Sequence, residues 1–208
     1  MAMFYSQAAK AITVIATAFL LFSCASTKLT EIWVDPNYKK SYNNLLIIGI
    51  VESQQNRRVY ESNFVEALKA LGVSATASYT LIKSSEKIDR NSITKAIKGM
   101  DIDGVIVTYM ISVDEETVYR PGTTYITGGG YGYGGYGGYP YTYTQTPGYY
   151  TTHETYVLEN NLYDVASEEL VWSARSRSFS PQSVQEVVTD LTKLIIADLQ
   201  EKHLLRKK

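Results

Sequence analysis

Few side chains in this 208-residue sequence could act as a catalytic base or nucleophile, since it has two histidines and one cysteine. His203 lies in a basic carboxyl-terminal stretch, where solvation is its expected state. His153 is followed by Glu154, but neighbouring residues on a strand point to opposite faces, so the two do not readily pair. We predict no catalytic residue, no metal and no cofactor. An envelope hydrolase or metal-dependent enzyme using His153 with nearby carboxylates is the alternative.

Two further stretches have the composition of ligand sites without the required spacing. Residues 114–116, Asp-Glu-Glu, lack the spaced ligands and the turn glycine of a calcium loop, so a solvated strand end is the simpler interpretation. The run "GGGYGYGG" lacks the lysine and the serine or threonine of a phosphate loop, and no helix pattern follows it.

The single cysteine, Cys24, follows a short apolar run that ends in "LFSC". Residues 11–22 are too few to span a bilayer as a helix, which needs about 20 residues. With Lys10 before them, they predict a signal peptide over residues 1–23. Leu21 to Cys24 resemble the lipobox of bacterial lipoproteins. That resemblance implies a diacylated Cys24 and a membrane partner reached through the lipid, because several acyl chains anchor stably.

The lipobox also carries an expectation about location. Ala25 stands where aspartate would favour retention in the inner membrane, so we expect an outer-membrane anchor with the domain facing the periplasm. The formal net charge is −1, which argues against a nucleic-acid partner because that needs a basic face.

Arg57 and Arg58 stand at the start of a predicted helix, where cations are unfavourable against the helix dipole. One interpretation is contact with a small anion or carboxylate ligand. The other, which we favour, is a surface ion pair with Glu61 or Glu52.

The elements that would position these residues follow from hydrophobic periodicity. Residues 45–51 predict a buried strand, residues 57–71 an amphipathic helix, and residues 73–79 a second strand. A second helix capped by Asn91 and a third strand over residues 103–113 complete a β-α-β-α-β order, which implies parallel strands. Residues 152–165 and 169–179 predict an antiparallel hairpin.

The chain closes with a long amphipathic helix that we expect to begin at Ser180. These elements predict a single α/β domain, residues 45–203, with three helices and a mixed sheet of about five strands. Residues 24–44 are interpreted as a tether and lead-in, with Trp33 covering the edge of the core. Trp172, on the second strand of the hairpin, should be buried against the last helix.

A segment rich in glycine and tyrosine interrupts this domain. Residues 122–150 hold ten of the 14 glycines of the chain. They also hold nine of its 18 tyrosines, from Tyr125 to Tyr150. Because the segment has almost no aliphatic side chains, we predict that it is a disordered insertion. It is either a spacer or an adhesive array of tyrosines that contacts an envelope protein or cell-wall glycan. The tyrosines assigned to that contact are Tyr131, Tyr133, Tyr136, Tyr139, Tyr141 and Tyr143.

Several stretches together resemble a widespread family of small uncharacterised bacterial lipoproteins with a Tyr/Gly-rich insertion. They are "EIWVDPNY", "LLIIGIVESQQNRRVYESNFVEALKALGVSATASY", "DIDGVIVTYM" and "LENNLYDVASEELVWSA". The resemblance implies an α/β domain in the cell envelope and supplies no activity. We expect a non-enzymatic binding or envelope-assembly module, with a subunit of a secretion or envelope complex as a further alternative.

Overall fold

The structure, a computed structural model, describes residues 27–127 and 142–205. The predicted signal peptide and Cys24 lie outside the described residues. So do five of the six tyrosines assigned to partner contact, namely Tyr131, Tyr133, Tyr136, Tyr139 and Tyr141. The remaining one, Tyr143, belongs to a described strand.

Six strands form one mixed sheet, in the order β1-β8-β7-β4-β2-β3, and a separate two-stranded sheet pairs β5 with β6. Strand β2 pairs in parallel with β3 and with β4, while β4–β7, β7–β8 and β8–β1 are antiparallel. The mixed α/β fold, with its parallel half and its antiparallel hairpin, is confirmed. The strands are β1 (Thr27–Val34), β2 (Asn44–Ile50), β3 (Ser74–Ala77), β4 (Gly104–Arg120), β5 (Thr124–Thr127), β6 (Thr142–Gln145), β7 (Tyr149–Asp164) and β8 (Leu170–Phe179).

In the described part of the chain, three α-helices accompany the sheet: α1 (Gln54–Ala70), α2 (Arg90–Ile97) and α3 (Val184–Glu201). Two caps differ from the sequence prediction. Asp89, rather than Asn91, caps α2 through a reciprocal capping box with Ser92. Ser183, rather than Ser180, caps α3, because Ser180 precedes the helix with a φ of 43° and the helix begins only after Pro181 and Gln182.

The two faces of the sheet are covered unequally. Helices α1 and α3 pack on one face over the main core, where Phe64, Ile106 and Ile195 are fully buried. The eight-residue α2 covers part of the other face over a smaller cluster built on Leu46 and Ile48. Trp172 is fully buried, and its Nε1 donates to Asp198 Oδ2 of α3 at 2.7 Å, which confirms its predicted place against the last helix.

The interpretation of residues 24–44 as a tether differs from what the structure shows in its described part. β1 is an edge strand of the sheet, paired with β8 and interrupted by a bulge between Thr30 and Trp33. Trp33 is 46% exposed and does not cover the edge of the core. It pairs with Ser173, which places it on the sheet face opposite to Trp172.

The predicted insertion also contains strands where the structure describes it. β4 continues to Arg120 and β7 already begins at Tyr149, so the two strands pair far beyond the end of β8. β5 and β6 then form a short ribbon at the two described ends of residues 122–150. None of the described helices is long and apolar enough to cross a membrane.

Candidate functional site

A cleft of about 480 Å³ opens at the carboxyl end of β2 and over Thr108 and Met110 of the adjacent parallel strand β4. From β2 the chain leads through α1 to β3, whereas β4 continues past the cleft to Arg120. In open α/β sheets, ligands bind outside the carboxyl ends of the parallel strands, and β2 ends here. The cleft lies between the amino termini of α1 and α3, and the capping residues Ser53 and Ser183 both line it.

The floor of the cleft is a chain of buried polar side chains. The hydroxyls of Tyr60 and Thr108 lie 2.6 Å apart, and the Thr108 hydroxyl donates to Asn160 Oδ1 at 2.9 Å. Asn160 Nδ2 in turn donates to the Ala174 carbonyl at 3.0 Å. Because these groups satisfy one another across β4, β7 and β8, they hold the floor in one arrangement, and Tyr60 and Thr108 line the cleft above it.

The walls are mainly apolar. Met110 and Leu158 contribute from the sheet, and Val187, Val188 and Leu191 contribute from α3. Met110, although apolar, is 45% exposed, which indicates that this wall lacks a covering partner within the described chain.

Three residues that line the cleft carry titratable side chains: Glu52, Tyr60 and Tyr156. Burial raises the pKa of the Tyr60 phenol well above its ordinary value, so Tyr60 stays protonated at neutral pH. The hydrogen bond to Glu154 raises the pKa of Tyr156 in the same direction. Both phenols therefore remain neutral, and the cleft offers apolar contact with hydroxyl hydrogen bonds.

Beside the cleft floor, Glu61 organises the start of α1. Its carboxylate is fully buried and accepts from the Gly49 amide at 3.0 Å, the Ser78 hydroxyl at 2.7 Å and the Tyr79 amide at 2.8 Å. Arg57 is 2% exposed and donates Nε to Glu61 at 2.9 Å. The predicted surface pairing of Arg57 with Glu61 thus occurs in the interior, and this guanidinium does not reach a solvent-borne ligand.

Arg58, the other predicted contact residue, is exposed and lies with its guanidinium carbon 5.7 Å from the centre of the Tyr79 ring. The structure therefore separates the two neighbouring arginines, one as a buried structural group and one as a surface cation.

A second, larger groove of about 790 Å³ lies on the other face, between α2 and the end of β7. Ile93, Ile97 and Val107 line it, and Arg90 forms an ion pair with Glu168 at its rim. This groove lies near the amino ends of the parallel strands. Ligand sites of open α/β sheets lie at the carboxyl ends instead, so we favour the cleft as the ligand site.

Asp164, at the edge of this groove, is a structural carboxylate. It is 3% exposed and accepts from Lys40 Nζ at 2.7 Å, from the Tyr38 hydroxyl and from the Ser167 amide at 2.8 Å. Burial opposes its ionisation, but these hydrogen bonds prevail and hold the pKa of Asp164 well below its ordinary value. It fastens the segment between β1 and β2 to the end of β7.

The structure places His153, the base of the enzymatic alternative, opposite Glu116 of β4, and Glu154 opposite Glu115. His153 stacks on Phe179, and its Nδ1 lies 3.4 Å from the Ser180 hydroxyl. Glu154 accepts from the Tyr156 hydroxyl at 2.6 Å instead. No group of three or more metal-ligating side chains occurs among residues 27–127 and 142–205.

The sequence does not identify the cleft, because its lining comes from elements far apart in the chain. Gly49 was one available signal, since a Cβ there would lie 2.9 Å from the Tyr60 ring. That close approach is what lets Tyr60 lie over the end of β2.

Comparison with known proteins finds structural similarity only. No family model and no curated protein matches this sequence. A PelC dodecamer from Paraburkholderia phytofirmans is similar with a TM-score of 0.44 and 14% identity, covering 87% of this chain and 99% of that one.

The lipoprotein GNA1162 from Neisseria meningitidis is similar with a TM-score of 0.41 and 12% identity, covering 76% of this chain and 98% of that one. One structural neighbour is thus a bacterial lipoprotein. Identities and scores this low establish neither a family nor a function for this chain.

Proposed function

We propose that this protein is a lipid-anchored module of the cell envelope that binds a small, largely apolar ligand and performs no catalysis. The observation that carries the proposal is the cleft between the amino termini of α1 and α3. Its volume of about 480 Å³ lies within the range of ligand pockets, roughly 300–1,000 Å³. Apolar walls above a few fixed hydroxyl groups are the composition that such pockets use to bind and orient a ligand.

A binding role agrees with the chemistry of the lining. The described residues around the cleft include no histidine, cysteine, lysine or arginine. The Tyr60 phenol cannot serve as a base at neutral pH, since burial raises its pKa. A ligand with a hydrogen-bonding group would reach Tyr60 and Thr108 while its apolar part contacts Val187 and Leu191.

A variant that fills the cleft tests this role. Val184 lines the mouth and is 47% exposed, so Val184→Trp narrows the cleft without crowding the core. Gln185→Trp adds the same ring at the next exposed position of α3 and serves as the control. The probe is 1-anilinonaphthalene-8-sulfonate, added to residues 24–208 carrying Cys24→Ser so that no lipid contributes fluorescence.

We expect saturable probe binding that Val184→Trp weakens several-fold and Gln185→Trp leaves unchanged. Equal binding by the parent and both variants would mean that the cleft is not the binding site.

The anchor is part of the same proposal, and it rests on "LFSC" with Cys24. We propose that Cys24 carries the lipid and that the domain faces the periplasm from the outer membrane. Cys24→Ala should release the protein from the membrane fraction or leave the precursor unprocessed. Fractionation and intact mass identical to those of the parent would rule out lipidation.

A further inference from the structure

Strands β4 and β7 form an arm beyond the six-stranded sheet. β8 ends at Phe179, which pairs with Thr155, and β2 ends much earlier along β4. From there residues 115–120 pair with residues 149–154, and no other strand of residues 27–127 and 142–205 joins them. Most residues of this arm are exposed, although Val118, Thr151 and His153 are half-buried. An isolated two-stranded ribbon is only marginally stable in water. The arm therefore has the character of a surface that a partner covers.

The arm changes in composition along its length. Its base is acidic, with Glu115 directly opposite Glu154 and Glu116 on the other face. Its outer half, residues 117–120 and 149–152, carries one charge, on Arg120. This outer half is aromatic instead.

Tyrosines dominate the exposed surface of the outer half. Tyr119, Tyr149 and Tyr150 are 54%, 60% and 73% exposed. The rings of Tyr119 and Tyr150 lie side by side, with centroids 5.1 Å apart. Tyrosine, with an apolar ring and a polar tip, is enriched where a membrane meets water.

The position of β1 brings the lipid anchor to the same end of the domain. Thr27 pairs with Ser178, so β1 begins at the end of the sheet from which the arm extends. Cys24 is three residues before Thr27, so it lies at most about 11 Å beyond the sheet edge. In the same register Tyr156 faces Ser178, and six residues of strand from Tyr156 to Tyr150 span about 20 Å.

The arm thus extends farther beyond the end of β1 than the three residues from Thr27 to Cys24 can reach. We propose that the outer half of the arm contacts the membrane surface that holds the lipid of Cys24, with Tyr119, Tyr149 and Tyr150 among the lipid headgroups. The acidic base of the arm stays in water, because the three-residue connection between Thr27 and Cys24 sets its distance from the membrane surface. Arg120 meets lipid phosphates. This inference rests on the proposed anchor.

Labelling of single cysteines in the full lipidated chain tests the contact. Acylation of Cys24 leaves an introduced cysteine as the one free thiol. Thr152→Cys places a nitroxide beside Tyr150 on the exposed arm, and Thr94→Cys places one on the exposed side of α2. The chain is reconstituted into vesicles of phosphatidylethanolamine and phosphatidylglycerol, and electron paramagnetic resonance measures collision of each label with oxygen and with a water-soluble nickel complex.

We expect membrane binding to lower nickel collision at position 152 several-fold and to raise oxygen collision there, with position 94 unchanged. Adding Tyr119→Ser and Tyr150→Ser should restore nickel collision at position 152 while the chain still sediments with the vesicles.

Three results would overturn the proposal in distinguishable ways. If the chain does not sediment with vesicles, the anchor and the arm contact fail together. If it sediments and the labels at 152 and 94 are equally open to nickel, the anchor stands and the arm contact is wrong. Dipolar broadening at 152, with no gain in oxygen collision, would show that a second copy covers the arm instead.

Discussion

Arg57 and Glu61 form an ion pair one turn apart on α1, with Nε 2.9 Å from Oε1 and neither side chain open to solvent. Glu61 also fixes β2 through the Gly49 amide and the segment after β3 through Tyr79. Removing one partner of such a pair leaves an uncompensated buried charge, whose cost is about 3–5 kcal/mol.

Glu61→Ala should therefore lower the free energy of unfolding by about 3–5 kcal/mol. Arg58→Ala, at the exposed neighbouring arginine, should change it by no more than about 0.5 kcal/mol. Urea denaturation followed by tryptophan fluorescence measures both. Similar losses in the two variants would contradict the burial of the pair.

Trp172 joins the hairpin to α3 by packing and by one hydrogen bond. Trp172→Ala should cost about 3–5 kcal/mol, as for other large buried aromatic side chains. Asp198→Ala removes only the acceptor and strands the indole N–H, so it should cost about 1–3 kcal/mol. Thermal and urea unfolding rank the two variants, and an unchanged melting temperature in Trp172→Ala would refute this packing.

Asp164 predicts a specific dependence of stability on pH. Its folded-state pKa is lowered, so the carboxylate contributes stability above the unfolded value of about 3.9 and loses it as the pH falls through the lower folded value. Asp164→Asn should be clearly less stable than the parent at pH 7, and the difference should shrink below about pH 4. Asp101→Asn, at an exposed carboxylate, is the control, and urea midpoints between pH 7 and pH 3 give the comparison.

The ribbon of β5 and β6 defines how the segment between them can be removed. Thr127 and Thr142 are paired at its end, so an Asn-Gly turn can join them in place of residues 128–141. We expect the melting temperature to stay roughly unchanged, because loop closure depends weakly on length. Binding to cell-wall material should fall.

A second variant separates tyrosine chemistry from reach. It keeps the length and replaces by serine the tyrosines of the removed segment, Tyr131, Tyr133, Tyr136, Tyr139 and Tyr141. Binding equal to that of the parent would make the segment a spacer. Unfolding of the shortened chain would show that residues 128–141 are structural.

The parallel strands, the hairpin and the long last helix could be predicted because their apolar residues repeat with the period of each element. β1 could not be predicted in this way. As an edge strand it exposes Ile32 and Trp33, so its apolar residues do not mark a buried face. The outer part of β4 is missed for a related reason, since both of its faces are open and no alternation develops.

The site is harder to predict than the fold. The burial of Arg57 depends on Ser78 and Glu61 enclosing it, and a charge at the start of a helix gives no sign of that. The cleft depends on α3 lying beside α1, although the two helices are more than 100 residues apart in the chain. Local periodicity holds no information about that contact.

The pairing of β1 with β8 has a consequence for the order in which the chain acquires its structure. Thr27 and Ser178, joined through their hydroxyls at 2.9 Å, are 151 residues apart, and Tyr42 bridges to Leu205. Contacts of such high sequence separation form slowly because a long loop must close first. A chain that emerges amino end first can build β2, α1 and β3 early. β1 stays unpaired until β8 has emerged, so the sheet is completed only after residue 179 has left the ribosome.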